Sequence, residues 1–155
     1  MFMSFDASLL VFFLLAFGAA TSGAVFKPGD WYMSLRKPAW TPPSWAFPVV
    51  WTVLYVMIAI AGWLVWRADR ASEAMWFWGL QLVVNAAWSG VFFGMRRMDF
   101  GFYTIGLLWL LVAGFVVTAA GVSSTASLLF VPYLIWVTIA GALNWTVWRM
   151  NLARA

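Results

Sequence analysis

Residues 47–66 read FPVVWTVLYVMIAIAGWLVW, twenty positions without one charged side chain. A helix needs roughly 20 mostly apolar residues to cross the hydrocarbon core of a bilayer, so this stretch predicts a membrane-spanning helix. The rest of the chain is similar, because 65% of its 155 residues are hydrophobic and 9% are charged. Soluble domains carry about 25% charged residues, so this composition excludes a soluble protein.

Four more runs of this kind lie elsewhere in the chain. The five predicted spans are residues 9–26, 47–66, 74–95, 100–120 and 128–148. The connectors at 67–73, 96–99 and 121–127 are short, which predicts that consecutive helices pack as antiparallel neighbours. No room is left for a soluble domain. We therefore expect residues 1–155 to form a single all-α integral membrane domain, a five-transmembrane-helix bundle.

Basic residues are distributed unequally between the two sides of such a bundle. One side has Lys27, Arg36, Lys37, Arg96, Arg97, Arg149 and Arg154, and the other has Arg67 and Arg70. The positive-inside rule therefore predicts that loop one (residues 27–45) and the C-terminus are cytoplasmic. Since topology accounts for the basic excess, we expect no nucleic-acid partner. The residues before Leu9 contain no Lys or Arg, so the first run is not predicted to be a cleaved signal peptide.

The predicted spans lack groups that titrate. The acidic residues are Asp6, Asp30, Asp69, Glu73 and Asp99, all at or outside span ends, and the chain has no His and no Cys. Proton-coupled transporters usually place a carboxylate or a His within the bilayer, so ion-coupled transport is not indicated. A transition-metal site and a Ser/His/Asp or Cys/His nucleophile lack their side chains. Any chemistry would use aromatic rings or a bound pigment.

Loop one contains an unusual segment, residues 37–45, with the sequence KPAWTPPSW. Connectors between membrane helices are ordinarily small and polar, whereas this one has two Trp and three Pro. Proline fixes φ and restricts the preceding residue, so the segment should hold its shape without secondary structure. Trp40 is therefore a candidate lid over a cavity. The alternative is that Trp40 and Trp45 are interfacial anchors, where Trp is enriched.

Three predicted helices carry polar or aromatic side chains at four-residue spacing, which places each set on one helix face. The sets are Phe47, Trp51 and Tyr55; Gln81, Asn85 and Ser89; and Trp136, Ala140 and Asn144. Trp88 lies beside the second set, and Tyr133 lies one turn before Trp136. Indole, phenol and amide groups among apolar walls predict a pocket for a flat, mostly apolar ligand. For each face alone, ordinary helix packing is the alternative.

A further face of the third span carries the small residues Ala86, Gly90 and Gly94. Small residues at this spacing allow two helix backbones to approach closely, as in many membrane dimers. The face is a candidate homodimer interface. Packing against another span of the same chain is the alternative, and a similar small-residue face in the first span is a possible partner.

The motifs together resemble the tryptophan-rich sensory protein / translocator protein family, also known as peripheral-type benzodiazepine receptors. The resemblance rests on the patterns at 37–55, 81–88, 131–136 and 143–149. It implies a five-helix bundle, often dimeric, that binds porphyrins, sterols and synthetic isoquinoline or benzodiazepine ligands under loop one. In the family's sterol-recognition segment a Tyr is expected where this chain has Trp145. This difference weakens the case for cholesterol as the physiological ligand.

The family's functional residues can be matched by position. Trp51 and Trp136 match its paired pocket tryptophans, Asn85 its polar pocket residue, Trp40 its lid and Ala140 the small residue of its pocket wall. With the aromatic faces included, the predicted ligand-binding set is Trp40, Phe47, Trp51, Tyr55, Asn85, Trp88, Trp136 and Ala140.

The resemblance implies a membrane sensor that binds a tetrapyrrole such as protoporphyrin IX, with no obligatory cofactor. Two alternatives stay open: an enzyme that degrades the porphyrin in light, with Trp51 and Trp136 as candidate catalytic residues, and a translocator of porphyrin or sterol-like ligands. Arg36 and Lys37 are candidate partners of the ligand's propionates, unless they serve topology alone. The expected location is the bacterial cell membrane, with the outer membrane as an alternative.

Overall fold

The computed structural model describes residues 7–154, which contain helices and connecting segments but no strand. The α-helices are α1 (Ala7–Val25), α2 (Asp30–Ser34), α3 (Ala46–Ala68), α4 (Glu73–Ser89), α5 (Met98–Ala119) and α6 (Ser124–Met150). A π-helical segment (Gly90–Gly94) continues α4, and a 3-10 turn (Leu152–Arg154) follows α6. The predicted all-α class is confirmed.

Four of these helices, α1, α3, α5 and α6, are long and apolar enough to cross a membrane. The chain is a multi-pass membrane protein. Helix α4 has 17 residues by itself, and the π-helical segment extends it without a break to Gly94. With that extension included, the observed helices begin and end within four residues of the five predicted runs.

Loop one contains a helix that the sequence did not indicate. Helix α2 has five residues and follows Gly29, whose backbone is extended. Asp30 begins the helix, where a negative charge interacts favourably with the helix dipole. The described chain therefore has six α-helices where five were expected. Residues 37–45 have turns and no helix, as the proline content predicts.

The long helices form a closed ring in the order α1, α3, α6, α5, α4 and back to α1. Helices α1 and α3, which the longer loop one joins, are neighbours. The prediction that helices joined by short connectors pack as neighbours is correct for α4 with α5 and for α5 with α6. It is largely wrong for α3 and α4, which make little backbone contact. The Trp78 side chain of α4 lies against Gly62 of α3 and separates the two helices. Its indole nitrogen donates a hydrogen bond to the Ile58 carbonyl (2.9 Å).

Loop one and the C-terminal end of α6 lie at the same end of the ring. The backbone of Arg36 is hydrogen-bonded to the Asn151 side chain, and the Trp31 ring packs against Phe92 of the π-helical segment. The two chain segments with most of the predicted cytoplasmic charges are thus on one side. Of the acidic residues, Asp30, Asp69, Glu73 and Asp99 lie at helix ends, while Asp6 lies outside the described residues.

The small-residue face of α4 is partly covered by the chain itself. A Cβ added at Gly94 would lie 2.7 Å from the Phe26 ring, and one at Gly90 would lie 3.4 Å from it. Gly23 of α1 faces Ser89 in the same region. These contacts favour the intramolecular alternative at Gly90 and Gly94. A homodimer through this face stays a prediction.

Candidate ligand-binding site

A chain of buried hydrogen bonds crosses the centre of the ring. The Tyr55 hydroxyl of α3 donates to Asn85 Oδ1 of α4 (2.6 Å). Asn85 Nδ2 donates to the Tyr133 hydroxyl of α6 (2.7 Å), which in turn donates to Gln81 Oε1 (2.8 Å). Gln81 Nε2 then donates to the Trp78 carbonyl one turn earlier in α4 (2.9 Å). The chain thus joins three helices through polar groups that would be costly to bury alone.

The four-residue spacing explains this arrangement. Gln81 and Asn85 lie on one face of α4 and point inward, as predicted, and both are buried. Tyr133 has no exposed surface and contacts both amides, so it is the central member of the chain. A buried polar network with satisfied partners fixes the relative positions of the helices that supply it.

Aromatic rings extend from this polar chain towards loop one. The Trp51 ring lies 5.6 Å from the Tyr55 ring at 30°, a stacked arrangement. It meets the Tyr133 ring edge-on at 6.2 Å. Nearby, Phe47 packs edge-on against Trp136 at 5.6 Å. Both predicted pocket tryptophans are therefore partly buried in one aromatic layer between α3 and α6.

The Trp136 indole has an unusual feature. Its Nε1 atom is buried and has no hydrogen-bond partner. A buried N–H group without a partner loses its hydration without replacement, at a cost of about 1–3 kcal/mol. An acceptor on a ligand would reach this donor only after the side chains that cover it move aside.

An apolar groove of about 370 Å³ lies next to Trp136, between α3 and α6. Its walls are Val49, Val50, Val53, Leu54, Met57, Pro132, Ile135, Trp136 and Ile139. The volume is at the lower end of the range for ligand pockets, roughly 300–1,000 Å³. Because Val49, Val53 and Ile135 are more than half exposed, the groove opens sideways, towards the surface that faces lipid.

The sequence profile of the TspO/MBR family matches residues 8–149, nearly the whole chain. The chain belongs to the TspO/MBR family. The resemblance inferred from the motifs is thereby confirmed.

Relatives within the family come from bacteria and mammals. Protein CrtK of Rhodobacter capsulatus is 43% identical over 145 residues, 91% of each chain. The tryptophan-rich sensory protein of Cereibacter sphaeroides is 42% identical, with 98% of this chain and 97% of the relative covered. The human translocator protein is 35% identical over 83% of this chain and 81% of its own length. This family membership supports a membrane sensor or translocator.

The structure separates the predicted ligand-binding residues into two groups. Phe47, Trp51, Tyr55, Asn85 and Trp136 belong to the aromatic layer and the polar chain. Ala140 packs against the same core.

Trp88 belongs mainly to another cluster. Its Nε1 donates to Asn144 Oδ1 (3.2 Å), and its ring packs against Phe92 and Phe93. Asn144 Nδ2 donates in turn to the Met98 carbonyl (2.9 Å). Trp88 therefore links α4, α6 and the start of α5 beneath loop one.

The two tryptophans of loop one are more exposed than expected for a lid over a cavity. Trp40 is 50% exposed and Trp45 is 70% exposed. The Lys37 ammonium donates to the Tyr32 carbonyl (2.7 Å) and the Leu35 carbonyl (3.3 Å), and it lies 4.4 Å from the centre of the Tyr32 ring. Partial burial lowers the pKa of Lys37, and burial raises the pKa of Tyr32. Lys37 is thus engaged within the loop, whereas the Arg36 side chain is exposed.

Sequence reasoning did not include two important residues in the predicted site. Tyr133 is the central member of the polar chain, although the sequence signals only that it lies one turn before Trp136. Asn151 is 3% exposed and binds loop one, and nothing in its neighbourhood distinguishes it from a residue at a frayed helix end. Among the described residues, no three acidic side chains come together as a metal site would require.

Proposed function

We propose that this chain is a membrane receptor for a flat tetrapyrrole, of which protoporphyrin IX is the test ligand. The observation that carries the proposal is the partnerless N–H of Trp136, a residue that lines an apolar groove between α3 and α6. The stacked Trp51–Tyr55 pair packs between the same two helices. Such a site offers apolar walls, aromatic faces and one unused donor to a large ring with peripheral acceptors. Family membership supports the sensor role.

The proposed topology has five membrane spans. Helix α4 counts as the third when its π-helical extension to Gly94 is included. The positive-inside rule assigns loop one and the C-terminus to the cytoplasmic side. Their position at one end of the ring supports this assignment. The membrane in this proposal is the bacterial cell membrane. We also propose a homodimer through the small-residue face of Ala86, Gly90 and Gly94, none of which lines the groove.

In the proposed complex, the edge of the ligand enters the groove between α3 and α6, and an acceptor on the ligand meets Trp136 Nε1. Arg36 is the better candidate for a propionate contact, because its side chain is exposed while the Lys37 ammonium already binds two carbonyls. Trp40 would approach the ligand from loop one.

The test is titration of the purified protein with protoporphyrin IX. Trp51→Ala and Trp136→Ala should each weaken binding by about 1–3 kcal/mol, because each removes an aromatic contact. Trp76→Ala is the matched control, since Trp76 is 73% exposed on α4. Equal effects of all three variants would disprove the assignment of the site.

Trp136→Phe isolates the N–H group. It should weaken binding by about 1 kcal/mol, roughly fivefold, through loss of one hydrogen bond. The unliganded protein loses no hydrogen bond, because Trp136 Nε1 has none. Illumination of the complex separates the alternatives: a stable porphyrin band supports a receptor, and its conversion into a product band would indicate a light-dependent enzyme.

A further inference from the structure

The side chain of Asn151 is hydrogen-bonded to both backbone groups of one loop-one residue, Arg36. Its Oδ1 accepts a hydrogen bond from the Arg36 N–H (2.9 Å), and its Nδ2 donates to the Arg36 carbonyl (2.8 Å). Nδ2 also donates to the Val147 carbonyl one turn earlier in α6 (2.7 Å). Asn151 is buried, so water competes weakly for these bonds. The amide therefore joins the end of α6 to a residue 115 positions away.

The residues on either side of Arg36 are also held. Leu35 is 5% exposed and belongs to a small core with Phe92, Met98, Leu143 and Val147. The Lys37 ammonium binds the carbonyls of Tyr32 and Leu35. Residues 35–37 thus form an anchor for loop one. Leu35 packs in an apolar core, the Arg36 backbone is hydrogen-bonded to the Asn151 amide, and the Lys37 ammonium is hydrogen-bonded to two carbonyls.

The segment after the anchor is held differently. The Thr41 N–H and hydroxyl both donate to the Pro38 carbonyl (3.1 and 2.7 Å), and the Ala46 N–H donates to the Pro43 carbonyl (2.9 Å). These bonds shape residues 38–45 locally and attach them to no other helix. The position of Trp40 is consequently set by the anchor at one end and by the start of α3 at the other.

We infer that Asn151 is a positioning residue for ligand retention: it fixes the base of the segment that carries Trp40, which approaches the ligand in the proposed complex. This inference rests on the proposed function, since it concerns escape of the bound tetrapyrrole. Loss of the amide would leave the Arg36 N–H and carbonyl without partners and would release the base of the loop. A cover that opens more often acts mainly on the dissociation rate.

The experiment uses the full chain with Asn151→Leu, which keeps the branching of the side chain at Cγ and removes both contacts to Arg36. Thr146→Val is the matched control, because the Thr146 hydroxyl donates to the Ala142 carbonyl within α6 itself. Leu35→Ala tests the same anchor from the loop side and covers the case in which Asn151→Leu does not fold. The measurements are hydrogen exchange of the residue 36 amide without ligand, and stopped-flow displacement of bound protoporphyrin IX.

Both anchor variants should speed exchange at residue 36 and release of protoporphyrin IX. For Asn151→Leu release should speed by about tenfold, as expected for two lost hydrogen bonds. The association rate should change by less than about twofold, and Thr146→Val should match wild type. Faster exchange with unchanged release in both variants would overturn the inference and leave the proposed function intact. Failure of the wild-type protein to bind protoporphyrin IX would overturn the proposed function, and the inference with it.

Discussion

The replacement Tyr133→Phe removes one oxygen atom from the centre of the buried polar chain. The hydroxyl accepts from Asn85 Nδ2 and donates to Gln81 Oε1. Both partners lie on α4, one turn apart, and Tyr133 itself has no exposed surface. The two groups left behind belong to buried residues, so water competes weakly for them. The phenyl ring keeps its packing, including its contact with Phe130, so the substitution changes polarity and little else.

The expected loss of stability follows from counting orphaned groups. Tyr133→Phe leaves one donor and one acceptor without partners, whereas Tyr55→Phe leaves only Asn85 Oδ1. A hydrogen bond contributes about 1 kcal/mol net in proteins, and double-mutant cycles between membrane helices average about 0.6 kcal/mol. We therefore expect roughly 2 kcal/mol of destabilisation for Tyr133→Phe and roughly 1 kcal/mol for Tyr55→Phe.

The assay is reversible unfolding in mixed micelles, followed by circular dichroism. Tyr103→Phe is the matched control, because Tyr103 is 62% exposed on α5. The double variant Tyr133→Phe with Gln81→Leu should recover part of the loss, since it removes one of the two orphaned groups. If Tyr133→Phe destabilises the protein no more than Tyr103→Phe, the polar chain does not hold α4 and α6 together and the reasoning fails.

Two further predictions concern loop one and the small-residue face. Replacing the Pro42–Pro43 pair by glycines should speed release of a bound porphyrin, because it raises the entropy of the open loop. Trp40→Ala should also speed release. If stopped-flow release is unchanged in both variants, Trp40 is an interfacial membrane anchor instead of a lid. Gly94→Ala should destabilise the protein more than Gly90→Ala, because its Cβ would lie 2.7 Å from the Phe26 ring against 3.4 Å. Equal melting temperatures would contradict that packing, and loss of crosslinked dimers without loss of stability would support the dimer alternative.

The helices could be predicted from sequence because the apolar runs fill the lengths that a bilayer requires. The same reasoning could not find α2, whose five residues are too few for a periodic pattern. Nor could it find the π-helical segment, where the Gly-Val-Phe-Phe-Gly sequence reads as ordinary helix and the widened turn lies beside the Phe26 ring. The ring order, with α6 next to α3, depends on contacts between distant parts of the chain.

For the site, as for the fold, local patterns could be predicted from sequence and contacts between distant helices could not. Four-residue spacing identified Gln81 and Asn85 as one inward face, because amides are costly towards lipid. The importance of Tyr133 depends on the adjacency of α4 and α6, which no local pattern reveals. Trp88 lies beside the face that suggested a pocket, but its N–H donates to Asn144, so it joins a separate cluster. Spacing identifies a helix face, whereas the partner across that face depends on the tertiary fold.

Some polar groups near the proposed site already have hydrogen-bond partners and one has none. This difference indicates which group would add most to the affinity for the proposed ligand. Asn85 already accepts from Tyr55 and donates to Tyr133, so a ligand that takes either position exchanges one hydrogen bond for another. Such an exchange contributes little net free energy. Trp136 Nε1 has no partner to lose, so a ligand acceptor there gains a hydrogen bond and relieves an existing cost. The polar part of the affinity should therefore come chiefly from Trp136, while Asn85 and Tyr133 keep the surrounding helices in place.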